Sequence, residues 1–276
     1  MIVVFGASTG IGQRLVEKLR AEGLACRKVS RTINDAVWAD LRTGDGVADA
    51  ISGASVVVSC AHAEHTCAIL RVCPIDVPLV LVGSAWRYSL VPNASANFVR
   101  EAEALFLGSD HRGIMLHPAM IYGGNQENNI RRLLQVIRKL PFIPAPGGGR
   151  QIVCPIYIDD LVDCLVNSTK RKWDGKHILG VAGPPLTWRC MVQICARSLG
   201  LRRPIVYVPA RAAVWILELI RKLGIKVVDP NVIRRFGENV DISNVRMREI
   251  LSVTPRSFEE GIVSAIENWR QQGFKL

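Results

Sequence analysis

Short β-branched runs recur along the first part of the chain: Ile2 to Phe5, Ala25 to Ser30, Ser55 to Cys60, Leu79 to Val82 and Gly113 to Leu116. Segments of helical pattern such as Arg14 to Leu19 separate them. This rhythm predicts an α/β fold, a Rossmann-type doubly wound parallel sheet with crossover helices. After Pro141 the rhythm weakens. Pro141, Pro144, Pro146 and Gly147-Gly148-Gly149 form a loop, followed by mixed short elements and amphipathic segments. The pattern divides the chain into a first unit, 1–122, and a smaller lobe built mainly from 123–276 with some return to the sheet. No internal repeat or low-complexity tract interrupts it.

Composition narrows the picture without changing it. With 276 residues, 49% hydrophobic and 21% charged, the chain can bury a large core. Its formal net charge of +11 favours anionic partners. Nucleic acid fits poorly: Lys and Arg are scattered, aromatics are only 6%, and no helix-turn-helix, zinc-finger or RNP pattern occurs. The first strand begins at Ile2, which leaves no room for a leader, so a cytoplasmic location is expected. The eight cysteines form no Cys-x-x-Cys pair and are expected to be thiols. No apolar run is long enough to span a membrane. The basic amphipathic segment 211–226 reads as a helix closing the second lobe, or alternatively as a peripheral contact with acidic membrane through Trp215 and Leu219.

The chemistry begins at Gly6-Ala-Ser8-Thr9-Gly10-Ile11-Gly12, between the first strand and the first helix. Backbone amides and a helix N-terminus at that position cradle a pyrophosphate. Gly6 allows the turn, Gly10 lets backbone approach phosphate, and Gly12 lets helix pack on strand. Gly6 to Gly10 also matches the Gly-x-Ser-x-Gly elbow of serine hydrolases. An elbow on the first strand would precede the sheet and oxyanion loop that normally come before it, and it would not require Gly12. Arg31 ends the second strand where an NAD-selective protein places a carboxylate. Its guanidinium suits a 2′-phosphate and points to NADP, with NAD possible.

Together with Asp40-Leu41, Ser59-Cys60-Ala61, Gly83-Ser84 and Pro118 to Gly123, this loop resembles the short-chain dehydrogenase/reductase superfamily. His117-Pro118 through Tyr122-Gly123 and Ile156-Tyr-Ile-Asp159-Asp160-Leu161 resemble its extended branch, the NAD-dependent epimerases and dehydratases of nucleotide sugars. The resemblance spans nearly the whole chain. It implies cofactor contacts from Ser8, Thr9 and Ile11 of the loop, from Asp40 and Leu41 flanking adenine, and from Cys60 and Ala61 beneath the dinucleotide. It also implies contacts to the nicotinamide from Pro118 and Ile121, and to substrate from Tyr122, Asn129 and Arg150. His117 departs from the pattern, which has arginine there.

Cys60, His62, His65 and Cys67 have the chemistry of zinc ligands but not the spacing, so no metal is expected. The superfamily moves protons with a Ser or Thr and a Tyr-x-x-x-Lys pair, and here that pair is missing: no lysine lies between Lys28 and Lys139. Ser84 and Tyr88 are the hydroxyl pair left near the expected nicotinamide. Arg87 or Arg100 is expected to lower the tyrosine pKa in place of lysine. Two functions follow: redox chemistry on a nucleotide-linked or lipid-linked sugar, or a dinucleotide sensor or assembly subunit without catalysis.

Overall fold

A computed structural model describes residues 1–91, 93–126, 129–208 and 238–274. The segment 211–226 lies outside the described residues.

The first half lays down β1 (Ile2–Phe5), α1 (Gly10–Ala21), β2 (Cys26–Val29), α2 (Val47–Ile51), β3 (Val56–Ser59), α3 (Thr66–Val72), β4 (Leu79–Val82), α4 (Ala94–Gly108) and β5 (Gly113–Pro118). There follow β6 (Ile121–Tyr122), α5 (Asn129–Lys139), β7 (Ile143–Pro146), β8 (Ile152–Val153), β9 (Ile156–Tyr157), α6 (Ile158–Lys170) and β10 (Lys176–Val181). The remaining described elements are β11 (Leu186–Thr187), α7 (Trp188–Ser198), β12 (Ile205–Val208), α8 (Val245–Leu251) and α9 (Phe258–Gln271).

Six strands form one parallel sheet in the order β10-β5-β4-β3-β1-β2. Side chains alternate across it as the pleat requires. Ile2 and Val4 pack with Leu15 and Leu19 of α1 and Leu161 and Leu165 of α6, while Val3 and Phe5 face Ile69, Val99 and Phe106 on the other side. The order reverses between β1 and β3, the switch point at which such sheets bind ligands. Among the described residues the parallel bridge Val29↔Val37 alone extends the sheet beyond β2.

The other elements gather around a second core that includes Tyr122, Leu134, Trp188, Phe258 and Trp269. Its strand pairs are short: β6 with β9, β8 with β11, β7 with β12. The α9 helix is started by a reciprocal capping box between Ser257 and Glu260. Just before it, Arg256 Nε donates to the buried Asp160 carboxylate at 2.9 Å and its backbone N–H at 3.0 Å, tying α9 to α6. Among the described residues no helix is long and apolar enough to cross a membrane.

Candidate functional site

The glycine loop is bonded to itself before any ligand is considered. Thr9 Oγ1 accepts from the Gly12 N–H at 3.0 Å, capping α1, and donates to Gly6 O at 2.8 Å. Gly6 adopts φ +70°, and a Cβ there would stand 2.6 Å from Ala61 N. A Cβ on Gly12 would collide with Gly6 O. The loop is therefore pressed between the tips of β1 and β3. No acidic residue occupies the first turn of α1, so its N-terminal amides keep their positive end. The Gly10 N–H donates outward to Gln126 Oε1 at 3.0 Å, and Gln126 Nε2 donates back to Ser8 O at 3.1 Å. Backbone amides at a helix N-terminus suit a pyrophosphate, and a side chain has no room at Gly6 or Gly12. Cys60 is buried and its thiol is pushed up to about 12 by burial, so it stays protonated beneath the loop.

At the end of β2, Arg31 is exposed and its Nη1 lies 3.4 Å from Asp40 Oδ2. Arg42 also binds that carboxylate, with Nη2 at 3.0 Å and the backbone N–H at 2.9 Å. These hydrogen bonds, with Arg31 nearby, hold the Asp40 pKa at about 2. Two guanidiniums thus share one carboxylate. Leu41 packs against the sheet core on its α4 side.

Ser84, Ala85, Pro118, Met120, Asn129 and Gln151 line a cavity between the ends of β4 and β5 and the second core, with Trp86 and Trp188 on its walls. Gln151 Nε2 is buried with no hydrogen-bond partner among the described residues. A buried donor left unpaired is costly, and a ligand oxygen is one explanation for it. Tyr88 lines an adjoining hollow with Leu90, Gly180, Ile242 and Arg246, and Ala85, Glu238 and Val240 border both it and the cavity of Ser84. Burial, reinforced by Glu103, raises the Tyr88 pKa against the pull of Arg87. Arg100 donates to the backbone carbonyls of Arg87 and Ser89. The expected net lowering of the tyrosine pKa is thus corrected, because desolvation together with Glu103 outweighs the pull of Arg87 and Arg246.

Behind Ser84 lies a buried relay that the sequence did not announce. His117, on β5, is fully buried; its Nδ1 accepts from the Ser84 N–H at 3.2 Å, so Nε2 carries the proton and donates to Glu103 Oε2 at 2.8 Å. Arg87 Nε holds the other carboxylate oxygen at 2.9 Å. Gly83 admits the imidazole, since a Cβ there would strike the ring. Burial lowers the His117 pKa more than Glu103 raises it, so the ring is neutral. One signal was available: Glu103 stands in the apolar stripe of α4 between Val99 and Phe106, where a carboxylate needs a partner.

Three implied contacts are placed differently from one another. Asn129 opens α5 on the cavity wall. Arg150 is exposed beside Gln151. Tyr122 is 1% exposed and packs against Tyr157 and Phe258 in the second core. Pro118 is on the cavity wall and Ile121 is half-buried between the two cores. Among the described residues no three His, Cys, Asp or Glu side chains gather as metal ligands would.

No protein-family profile and no curated protein sequence matches the chain. Solved structures do. A UDP-glucose 4-epimerase from Thermotoga maritima, determined with UDP-glucose, is 14% identical with a TM-score of 0.74, covering 99% of each chain. A dTDP-glucose 4,6-dehydratase from Bacillus anthracis in complex with NAD is 14% identical, TM-score 0.73, over 98% of this chain and 96% of that one. MoeE5 in complex with UDP-glucose and NAD is 19% identical, TM-score 0.70, over 99% of both. At these identities the likeness is one of fold, and it extends through both cores.

Proposed function

We propose that the protein binds a nicotinamide dinucleotide at the Gly6 to Gly12 loop and a sugar nucleotide in the cavity beside Ser84, as an epimerase/dehydratase-like protein. The observation that carries this is the outward Gly10 N–H at the N-terminus of α1, on a loop with no room for a side chain at Gly6 or Gly12. Asp40 and Leu41 would flank the adenine, Cys60 and Ala61 would lie beneath the dinucleotide, and Pro118 and Ile121 would border the nicotinamide. When bound, that ring supplies reversible hydride transfer. The chain's own part is to orient the sugar through Asn129 and Gln151, and to move a proton at the Ser84 hydroxyl, held on its loop by His117. Fold-level likeness to proteins crystallised with UDP-glucose and NAD supports the ligand classes.

Within that reading NADP is preferred. Arg31 and Arg42 carry one charge more than Asp40 neutralises, and a 2′-phosphate can take a guanidinium that an unphosphorylated ribose cannot.

Calorimetry with NAD and NADP on wild type and on Gly10→Val, checked for folding by circular dichroism, tests the site. Binding is expected only in wild type; equal binding by a folded Gly10→Val protein overturns it. NAD(P)-dependent turnover of UDP-, GDP- and dTDP-sugars then tests the reaction. Dinucleotide binding with no turnover of any sugar assigns the chain instead to a non-catalytic sensor.

A further inference from the structure

Gln126 follows β6, far from the glycine loop in sequence, yet both ends of its side-chain amide are spent on that loop. The Gly10 N–H gives its proton to Oε1, and Nε2 gives one to Ser8 O. The oxygen assignment is fixed by the network, because only an acceptor can face Gly10 N–H. Neither Gly10 nor Ser8 needs this residue to complete the loop: the capping bonds of Thr9 to Gly12 and Gly6 do that. A backbone N–H has one proton to give. An oxygen of a dinucleotide pyrophosphate on Gly10 and the Gln126 carbonyl oxygen therefore compete for the same donor.

We infer that Gln126 is a built-in competitor of the cofactor: its neutral amide takes the pyrophosphate's place on Gly10 and must swing away when a dinucleotide binds. The inference rests on the cofactor site proposed above. Gln126 is exposed, so the swing carries it into solvent and breaks no core packing. A charged phosphate oxygen is the stronger acceptor, which makes the exchange favourable but weakens net affinity by the bonds given up. Gln126 also stands three positions ahead of Asn129, which lines the cavity.

Three variants measured by calorimetry with NAD, NADP and ADP-ribose decide the matter. Gln126→Ala and Gln126→Met remove the competitor and are expected to tighten binding of all three about two- to ten-fold, the equivalent of one or two net hydrogen bonds. Both are expected to lower the melting temperature measured without dinucleotide, a combination of signs that a residue contacting the bound cofactor does not give. Gln126→Glu keeps the bond to Gly10 and adds a charge that repels phosphate; its binding is expected to weaken more than ten-fold. Unchanged or weaker binding in Gln126→Ala and Gln126→Met, with wild type binding normally, overturns the competitor role alone. No binding by wild type or any variant overturns the cofactor site and this inference together.

Discussion

Arg31 and Arg42 hold Asp40 from two sides, and at this scale each residue has a separable consequence. Arg31→Ala is expected to reduce NADP affinity by about ten- to hundred-fold, the value of roughly 1.5–3 kcal/mol for a charged hydrogen bond, and to leave NAD affinity nearly unchanged. Calorimetry with both dinucleotides reads this directly, and equal affinities in wild type would already remove the NADP preference. His117 makes a pH-dependent contribution. Its folded pKa lies below the ordinary 6.5, so the unfolded chain takes up the proton first and stability is lost as pH falls below that value. Glu103, Arg87 and the edge of the Tyr88 ring are the groups that face it, and a second proton on Nδ1 would confront the Ser84 N–H. Urea unfolding from about pH 8 to about pH 5 should show stability declining toward acid, with the slope reduced in His117→Gln. An unchanged slope in the variant would assign the titration elsewhere.

Elements meet here through contacts that leave no spare volume. Gly261, in the second turn of α9, lies where a Cβ would overlap the Tyr122 hydroxyl, and Tyr122 is itself wedged against Tyr157 and Phe258. Gly261→Ala should therefore cost about 1–3 kcal/mol by overpacking, seen as a lower urea midpoint with the slope unchanged. Little change would mean that α9 can move off β6. The β4–α4 connection is tied down differently. Glu238 accepts from Ser89 Oγ at 2.8 Å and from the Leu90 and Val91 N–H groups at 2.7 and 3.1 Å, which joins the loop after Ser84 to a distant part of the chain. Glu238 also lines the cavity beside Ser84, so Glu238→Gln, which keeps an acceptor but loses its charge, should weaken sugar-nucleotide binding if this loop must be held for the cavity to form. Equal affinity in calorimetry would separate loop anchoring from binding.

Across the whole molecule, what is legible in the sequence follows from how much context each feature needs. Parallel strands buried on both faces stand out as unbroken apolar runs, and the glycine loop is a local requirement of backbone geometry. β5 continues two residues beyond its apolar run because His117, a polar residue that looks like a strand end, is satisfied by Glu103 from another helix. The second core is hard to read because its strand pairs β6–β9 and β8–β11 are two residues long, too short for any period to show. Gln126 and Gln151 carry no motif at all; only the fold makes neighbours of Gln126 and Gly10. The sheet order has a further outcome. β10 pairs with all six residues of β5, from Gly113 to Pro118, but comes from beyond α6. During synthesis, β5 must wait with one row of amides and carbonyls open until residue 181 has left the ribosome. A chain ending at 122 should thus be sticky, collecting in the pellet on expression, and coexpressed residues 123–276 should return it to the supernatant. The nascent protein is most in need of a chaperone in that interval, while the strand that will seal its sheet is still being made.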